Sequence, residues 1–318
     1  MKAAIVDAFD RVPRYGDIAA PVPQAGEVLV STRAAALSQL VRAHASGKHY
    51  SAGKTLPLVP GADGVGRLPD GQRVYFAFPR APIGAMAQQV AVKASQCVAL
   101  PDDIDDVTAA AMANPGMSSW AALEARAHFQ RGEAVLVNGA AGTSGRLAIQ
   151  IAKYLGASRI VATARKPETE AELRSLGATD FVCLEQTQES LTAAFREQIR
   201  LGVDVVLDYL WGPPAAAIID ANAGHGSGEA ARRVRFVNIG SMAGASLPIN
   251  AGVLRSSGLE MSGSGLGSVS NEGLVQIVGK LLRAAGPAGL RIDATPVPLA
   301  DVEGAWNSAA ADRIVFTC

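Results

Sequence analysis

The chain predicts an α/β fold in which a β-rich lobe is joined to a doubly wound parallel sheet. Three observations carry this. Short apolar runs punctuated by Gly and Pro fill the first third of the sequence. From Glu133 onward, apolar runs alternate with helical patterns. After the last of these the tail returns to mixed α and β character.

In the first lobe the strand candidates are Lys2 to Val6, Glu27 to Ala35, Gly64 to Arg67, Arg73 to Phe78 and Ala87 to Lys93. Pro21, Pro23, Gly26, Pro57, Pro60, Gly61, Pro69 and Gly71 separate them, and Leu37 to Ser46 reads as a short helix. Past Leu100-Pro101-Asp102 the period changes. Asp105 to Ala113 and Gly116 to Ala127 read as two helices split at Asn114-Pro115. Six strands follow: Ala134–Asn138, Arg159–Ala164, Phe181–Leu184, Val203–Tyr209, Val234–Ile239 and Leu259–Ser264. Helices over Gly145–Leu155, Pro167–Leu176, Leu191–Arg200 and Pro213–Ala221 alternate with them, the arrangement of a doubly wound parallel sheet. A helix from Asn271 to Ala285, a strand near Ala294–Pro298, a helix from Leu299 and a strand at Arg313–Thr317 complete the chain and are expected to rejoin the first lobe. The domains are set at 1–117, 118–266 and 267–318, the last returning to the first. A cleft between the lobes is the expected place for ligands.

One stretch says most about function. Between the strand at Ala134 and the strand ending at Ala164, Gly139, Gly142 and Gly145 stand at three-residue spacing, G-x-x-G-x-x-G. Gly139 suits a tight bend. Gly142 lets backbone N–H groups approach a pyrophosphate, and Gly145 lets the helix pack close to the strand. The helix N-terminus then offers unpaired N–H groups and a positive dipole end to phosphate. A strand, glycine turn, helix and parallel strand in this order point to a dinucleotide. Where such a site places an acid about 20 residues on, to bond a ribose 2′-hydroxyl, this chain has Arg165 and Lys166. Two cations suit a 2′-phosphate, so NADPH is expected rather than NADH.

Composition is that of a globular protein: 318 residues, 49% hydrophobic and 18% charged, long enough for two domains. The net charge of zero argues against a nucleic-acid or anionic-membrane partner. Val107 to Leu123 and Phe236 to Leu254 are uncharged but broken by polar residues, Gly and Pro, and neither reads as a membrane span. Cys97, Cys183 and Cys318 form no metal-ligand spacing and read as reduced thiols of a cytoplasmic protein. Asp7 comes too early for a signal-peptide core. The run Arg232-Arg233-Val234-Arg235 reads as a solvated approach to a strand, and Asp208 as a buried cap or hydrogen-bond partner.

Along its whole length the chain resembles the zinc-independent quinone oxidoreductase branch of the medium-chain dehydrogenases/reductases. The segments that carry the resemblance are Pro60-Gly61-Ala62-Asp63-Gly64-Val65-Gly66, Gly71-Gln72-Arg73-Val74, Gly116-Met117-Ser118-Ser119-Trp120 and the turn Asn138 to Gly145 with its helix. The resemblance implies a GroES-like β domain, a Rossmann domain that binds NADPH, and a C-terminal return to the β domain. It further implies a homodimer through the edge strand Leu259 to Ser264.

The zinc branch of the same superfamily has Cys where Ser38 sits, a His-Glu pair near Ala62-Asp63, another Cys near Asn114 or Pro115, and a four-cysteine structural loop. None of these is present, so no metal is expected. By resemblance the pyrophosphate turn is Ala141, Gly142, Thr143, Ser144 and Gly145, Ser118 bonds the nicotinamide end, and Lys166 with Arg165 holds the 2′-phosphate. Leu184 takes the place of an aromatic beside the adenine. Gly240 and Ser241 match the loop after the fifth strand, and Ser264, Gly265 and Leu266 the end of the sixth. Ser38, counted with the cofactor-binding residues, stands where the family has Asn, and Val41 where it has Asp.

The implied reaction is direct hydride transfer from NADPH to a quinone or an α,β-unsaturated carbonyl. Without zinc the acceptor oxygen needs hydrogen-bond donors. Either His49 or Tyr50 fills that place in Ser46-Gly47-Lys48-His49-Tyr50, with Arg42 nearby, or the loop only orients substrate and solvent supplies the proton. Two other readings stand beside this one: an alcohol or sugar dehydrogenase of the superfamily, and an NADPH-binding protein with little turnover, crystallin-like or sensing.

Overall fold

The computed structural model describes residues 1–48, 55–224, 231–308 and 313–318. It divides into two compact units. The first joins Met1–Asn114 to Asn271–Cys318, and the second is Pro115–Ser270. The boundaries fall at 114/115 and 270/271, against the expected 117/118 and 266/267.

In the first unit, β1 (Lys2–Ile5) pairs antiparallel with β2 (Arg14–Asp17). The main sheet is built from β3 (Glu27–Ala36), β4 (Asp63–Arg67), β5 (Arg73–Ala77), β6 (Gln89–Lys93) and β7 (Cys97–Ala99), with α1 (Gln39–Ala45) after β3. The C-terminal segment adds α8 (Asn271–Ala288), β14 (Ala294–Pro298), α9 (Val302–Ala305) and β15 (Arg313–Thr317). The strand order is β14-β15-β3-β4-β5-β7, with β6 also paired to β3. The last strand therefore lies inside a sheet begun by the first segment. Val30, Val90, Phe76 and Phe316 are buried in its core, as alternation along the strands requires. β2 and β7 were not expected. Four and three residues long, they carry too short a pattern to register.

A single helix, α2 (Asp106–Ala121), replaces the two expected around Asn114-Pro115, and it continues into a π-helical turn over Ala122–Arg126. Pro115 lies inside it. Two hydroxyls back-bond there, Ser118 Oγ to the Pro115 carbonyl at 2.7 Å and Ser119 Oγ to the Gly116 carbonyl at 3.1 Å. Both accepting carbonyls lie in the turn after the proline. The bond that Pro115 cannot make is the one to the Ala111 carbonyl, and the helix runs on without it.

The second unit is the doubly wound sheet. Its strands are β8 (Ala134–Asn138), β9 (Arg159–Ala164), β10 (Asp180–Cys183), β11 (Val205–Asp208), β12 (Arg233–Asn238) and β13 (Gly258–Gly263). Every pairing is parallel, in the order β10-β9-β8-β11-β12-β13. This is the 3-2-1-4-5-6 order of a Rossmann sheet, with its switch point between β8 and β11. The connecting helices are α3 (Thr143–Leu155), α4 (Glu170–Leu176), α5 (Gln188–Gly202), α6 (Gly212–Ala221) and the unexpected α7 (Ala251–Ser256). α3 buries Leu147, Ile149, Ile151 and Ala152, and Gly156 closes it in the left-handed conformation. Leu136, Val161, Phe195, Val206, Ile218 and Phe236 meet in the core.

The basic run Arg232 to Arg235 enters β12 and is not simply solvated. Arg232 pairs with Asp204 and Arg233 with Glu260, but Arg235 is buried, donating to the Ala127 carbonyl and to Glu133. β12 is an interior strand of the parallel sheet and is buried continuously from Val234 to Val237, so Arg235 is enclosed with its neighbours, and a partner acid makes its burial tolerable.

Candidate nucleotide-binding site

The site is built on the carboxyl ends of the six parallel strands, the edge at which open α/β sheets bind ligands. β8 is fully buried and ends at Asn138. Gly139 follows at φ +92°, a conformation that side chains disfavour. The chain turns over Ala140 and Ala141 and enters α3 with Gly142 as N-cap. A glycine cap has no side chain to accept from the first turn, so the N–H groups there are left for an outside acceptor.

The two later glycines answer to different neighbours. A Cβ on Gly145 would lie 2.4 Å from the Gly139 carbonyl oxygen and 2.6 Å from Ala140 Cα. The protein itself therefore requires this glycine. A Cβ on Gly142 would meet nothing closer than the Gly139 oxygen at 3.7 Å, an ordinary contact. The protein leaves that space open, as a cradle for a diphosphate would require. Arg146, one residue into the helix past Gly145, donates to the Ala141 carbonyl and forks onto Glu172. Its charge is thus engaged beside the turn.

Beneath the turn runs a buried polar chain across four strands. The Gly139 N–H donates to Thr163 Oγ1 (3.0 Å), and Thr163 Oγ1 donates to Asn138 Oδ1 (2.9 Å). Asn138 Nδ2 donates to Asp208 Oδ1 (2.8 Å), and Asn238 Nδ2 to Asp208 Oδ2 (3.0 Å). Asp208 also accepts from the backbone N–H groups of Leu210 and Trp211. Trp211 is held at φ +57°, unusual for a bulky residue, and leads into α6. Burial keeps the Asp208 carboxyl above its ordinary range, although the bonds from Asn238, Asn138, Trp211 and Leu210 pull the other way.

Of the residues expected at the site, Ala141, Gly142, Thr143, Ser144 and Gly145 form the turn and the first turn of α3. Arg165 and Lys166 follow β9 directly, both exposed. Among the described residues neither cation has an ion-pair partner, whereas Arg146, Arg159 and Arg174 around them are all paired. Leu184 follows β10, its N–H on the Ala164 carbonyl, and packs partly into the core. Gly240 and Ser241 come after β12, Ser241 exposed. Ser264, buried, follows β13, with Gly265 and Leu266 in the turn beyond it. Strand topology thus brings all of these to one edge. Ser38 lies in the other unit, where its Oγ accepts the Val41 N–H at 3.1 Å and caps α1. His49 and Tyr50 lie outside the described residues.

A family model described as zinc-binding dehydrogenase matches residues 145–276. A probable NADPH-dependent quinone reductase, tdiC of Emericella nidulans, is 27% identical over 96% of this chain and 96% of its own length. The 2-methylene-furan-3-one reductase of Solanum lycopersicum is 30% identical over 63% of this chain, which spans 54% of that protein. The quinone oxidoreductase of Thermus thermophilus, solved also in complex with NADPH, superposes on the full length of both chains with a TM-score of 0.81 and 26% identity. Over its full length the chain is thus similar to quinone oxidoreductases of the medium-chain dehydrogenase/reductase kind.

Around this site the sequence reading missed Tyr209 and gave Asp208 only a general role. Tyr209 is the first residue past β11, and its hydroxyl lies 3.3 Å from Ser118 Oγ. Burial pushes its phenol up to about 12. The available signal was position alone, since an aspartate and a tyrosine at the end of the fourth strand fall at the ligand edge. Among the described residues no three His, Cys, Asp or Glu side chains converge as a metal site would require.

Proposed function

We propose that this chain is an NADPH-dependent reductase of quinones or α,β-unsaturated carbonyls, acting by direct hydride transfer without a metal. The observation that carries this reading is the exposed pair Arg165 and Lys166 at the end of β9, without an acidic partner among the described residues. It stands beside a glycine turn with open space over Gly142. A 2′-phosphate would gain charge-assisted bonds from both cations. The first turn of α3 would take the pyrophosphate. Leu184 would border the adenine, while Gly240, Ser241, Ser264, Gly265 and Leu266 would line the nicotinamide side. When bound, the reduced nicotinamide would supply the hydride. The protein's part is to align it and exclude water.

Two relatives support the acceptor class by name. One is a probable quinone reductase; the other is named for a methylene conjugated with a ketone. Both acceptors take up charge on oxygen, and the donors we propose for it are His49 or Tyr50. A cytoplasmic location is supported by three free cysteines. No helix among the described residues is long and apolar enough to cross a membrane. A homodimer is supported by β13, whose outer edge has no partner strand among the described residues.

The test is nucleotide consumption against matched quinones, enones and aldehydes, with NADPH and NADH in parallel. NADPH is expected to be preferred, with quinones or enones as acceptors. Replacing both cations, Arg165→Ala with Lys166→Ala, is expected to raise KM for NADPH by about 10- to 100-fold and that for NADH by less than about twofold. Equal losses for both nucleotides would remove the 2′-phosphate assignment. Tight NADPH binding with no oxidation across the panel would favour the low-turnover alternative.

A further inference from the structure

The Ser118–Tyr209 hydroxyl pair has a direction that follows from counting protons. Ser118 Oγ carries one hydrogen, and its shorter contact, 2.7 Å, is to the Pro115 carbonyl, which can only accept. In the 3.3 Å contact the donor must therefore be Tyr209. The phenol stays protonated through the physiological range, because burial pushes it up to about 12. Ser118 Oγ is then left with one lone pair, and the surrounding bonds fix where it points.

The sheet places this lone pair relative to a ligand. α3 begins at the end of β8, and Arg165 and Lys166 follow β9, so a dinucleotide gripped there lays its adenosine half over β9 and β10. Across the switch point its other half must lie over the ends of β11, β12 and β13. Tyr209 is the first residue beyond β11. We infer that Tyr209 is a positioning residue that holds Ser118 Oγ as an acceptor for an N–H or O–H donor on the nicotinamide half of the dinucleotide, either the carboxamide amine or a ribose hydroxyl. The inference rests on the NADPH reading above.

The experiment titrates the full-length chain with NADPH and with 2′,5′-ADP, which carries the adenosine phosphates but no nicotinamide. Native protein, Tyr209→Phe, Ser118→Ala, Ser118→Thr and the Tyr209→Phe/Ser118→Ala double variant are compared by dissociation constant. Tyr209→Phe and Ser118→Ala should each weaken NADPH by about 3- to 10-fold, the effect of one hydrogen bond. Affinity for 2′,5′-ADP should stay within about twofold, and the double variant should be no weaker than the weaker single variant, since both remove one interaction. Ser118→Thr, which keeps the hydroxyl, should bind NADPH like the native protein. Equal weakening of both ligands in Tyr209→Phe would mean a merely structural role and overturn the inference, as would unchanged NADPH affinity. A native chain that binds 2′,5′-ADP and NADPH while Tyr209→Phe changes nothing would sink this inference alone. A native chain that binds neither would sink the NADPH reading and this with it.

Discussion

Gly142 and Gly145 are three residues apart, and glycine serves a different purpose at each. At Gly145 an added methyl would collide with backbone on the facing turn, at 2.4 and 2.6 Å, and backbone cannot swing aside as a side chain can. Gly145→Ala should therefore lower stability by about 1–3 kcal/mol, the range for overpacking, and weaken NADPH as the turn shifts. Gly142 has φ −75° and ψ 162°, which alanine adopts freely, and open space where the methyl would go. Gly142→Ala should match the native chain in unfolding free energy to within about 0.5 kcal/mol, yet bind NADPH more weakly. Denaturant unfolding beside nucleotide titration separates the two. A stable Gly145→Ala, or a Gly142→Ala with native affinity, would contradict the roles assigned. These glycines were legible in the sequence because their spacing between a strand and a helix is itself the signal. Tyr209 was not legible, because what makes it matter is a hydroxyl on a helix 91 residues away in the chain.

Between strands, the carboxyl edge of the sheet is tied by side chains as well as by its backbone ladder. Asn138 on β8, Thr163 on β9, Asp208 on β11 and Asn238 on β12 form one connected set, and it ends on the N–H of the first glycine of the turn. Asp208 is its hub, because only a carboxylate presents two oxygens that both accept. An amide in its place would turn an NH2 toward N–H donors and offer them no lone pair. Asp208→Asn should cost about 1–3 kcal/mol in unfolding free energy, the penalty for buried groups left unpaired, and should weaken NADPH by loosening the turn above. Retained stability and affinity would mean that the set tolerates an amide. The strands themselves were readable from apolar runs, and their parallel order from the intervening helices. The network was not, because polar residues at strand ends look alike whether they face water or one another. α2 shows the same limit in a different way. Asn114-Pro115-Gly116 reads as a break, yet α2 runs through it: Ala109 to Ala113 before it and Ser119 to Ala121 after it are buried, and burial outweighs the one backbone bond that Pro115 cannot make.

At the scale of the whole chain, the first unit depends on residues from both ends of the sequence. β15 pairs with β3 on one side and β14 on the other, so the closing strand completes a sheet begun before the nucleotide unit was made. That return was legible from the tail's change of character, but its chemistry was not. Asp63 on β4 is buried, accepts the Tyr75 hydroxyl at 3.1 Å and faces the charge of Arg313 on β15. The Nε and Nη2 of Arg313 have no hydrogen-bond partner among the described residues. Burial pushes the Asp63 carboxyl up to about 6, against the pull of Arg313 and Tyr75, from an ordinary 3.8. A group bound more tightly to its proton in the folded chain stabilises the fold fully below its unfolded value. That contribution is lost as pH rises through the folded value. A shift of about two units corresponds to roughly 3 kcal/mol, lost between about pH 4 and pH 7. Asp63→Asn has no proton to lose there. Whatever the offset between the two proteins at pH 4, the variant should therefore gain roughly 3 kcal/mol on the native chain by about pH 7. Denaturant unfolding of both proteins at about pH 4, 5, 6 and 7 reads this directly. Parallel stability curves would show that Asp63 ionises in the fold as easily as in the unfolded chain, and that the charge of Arg313 fully offsets its burial.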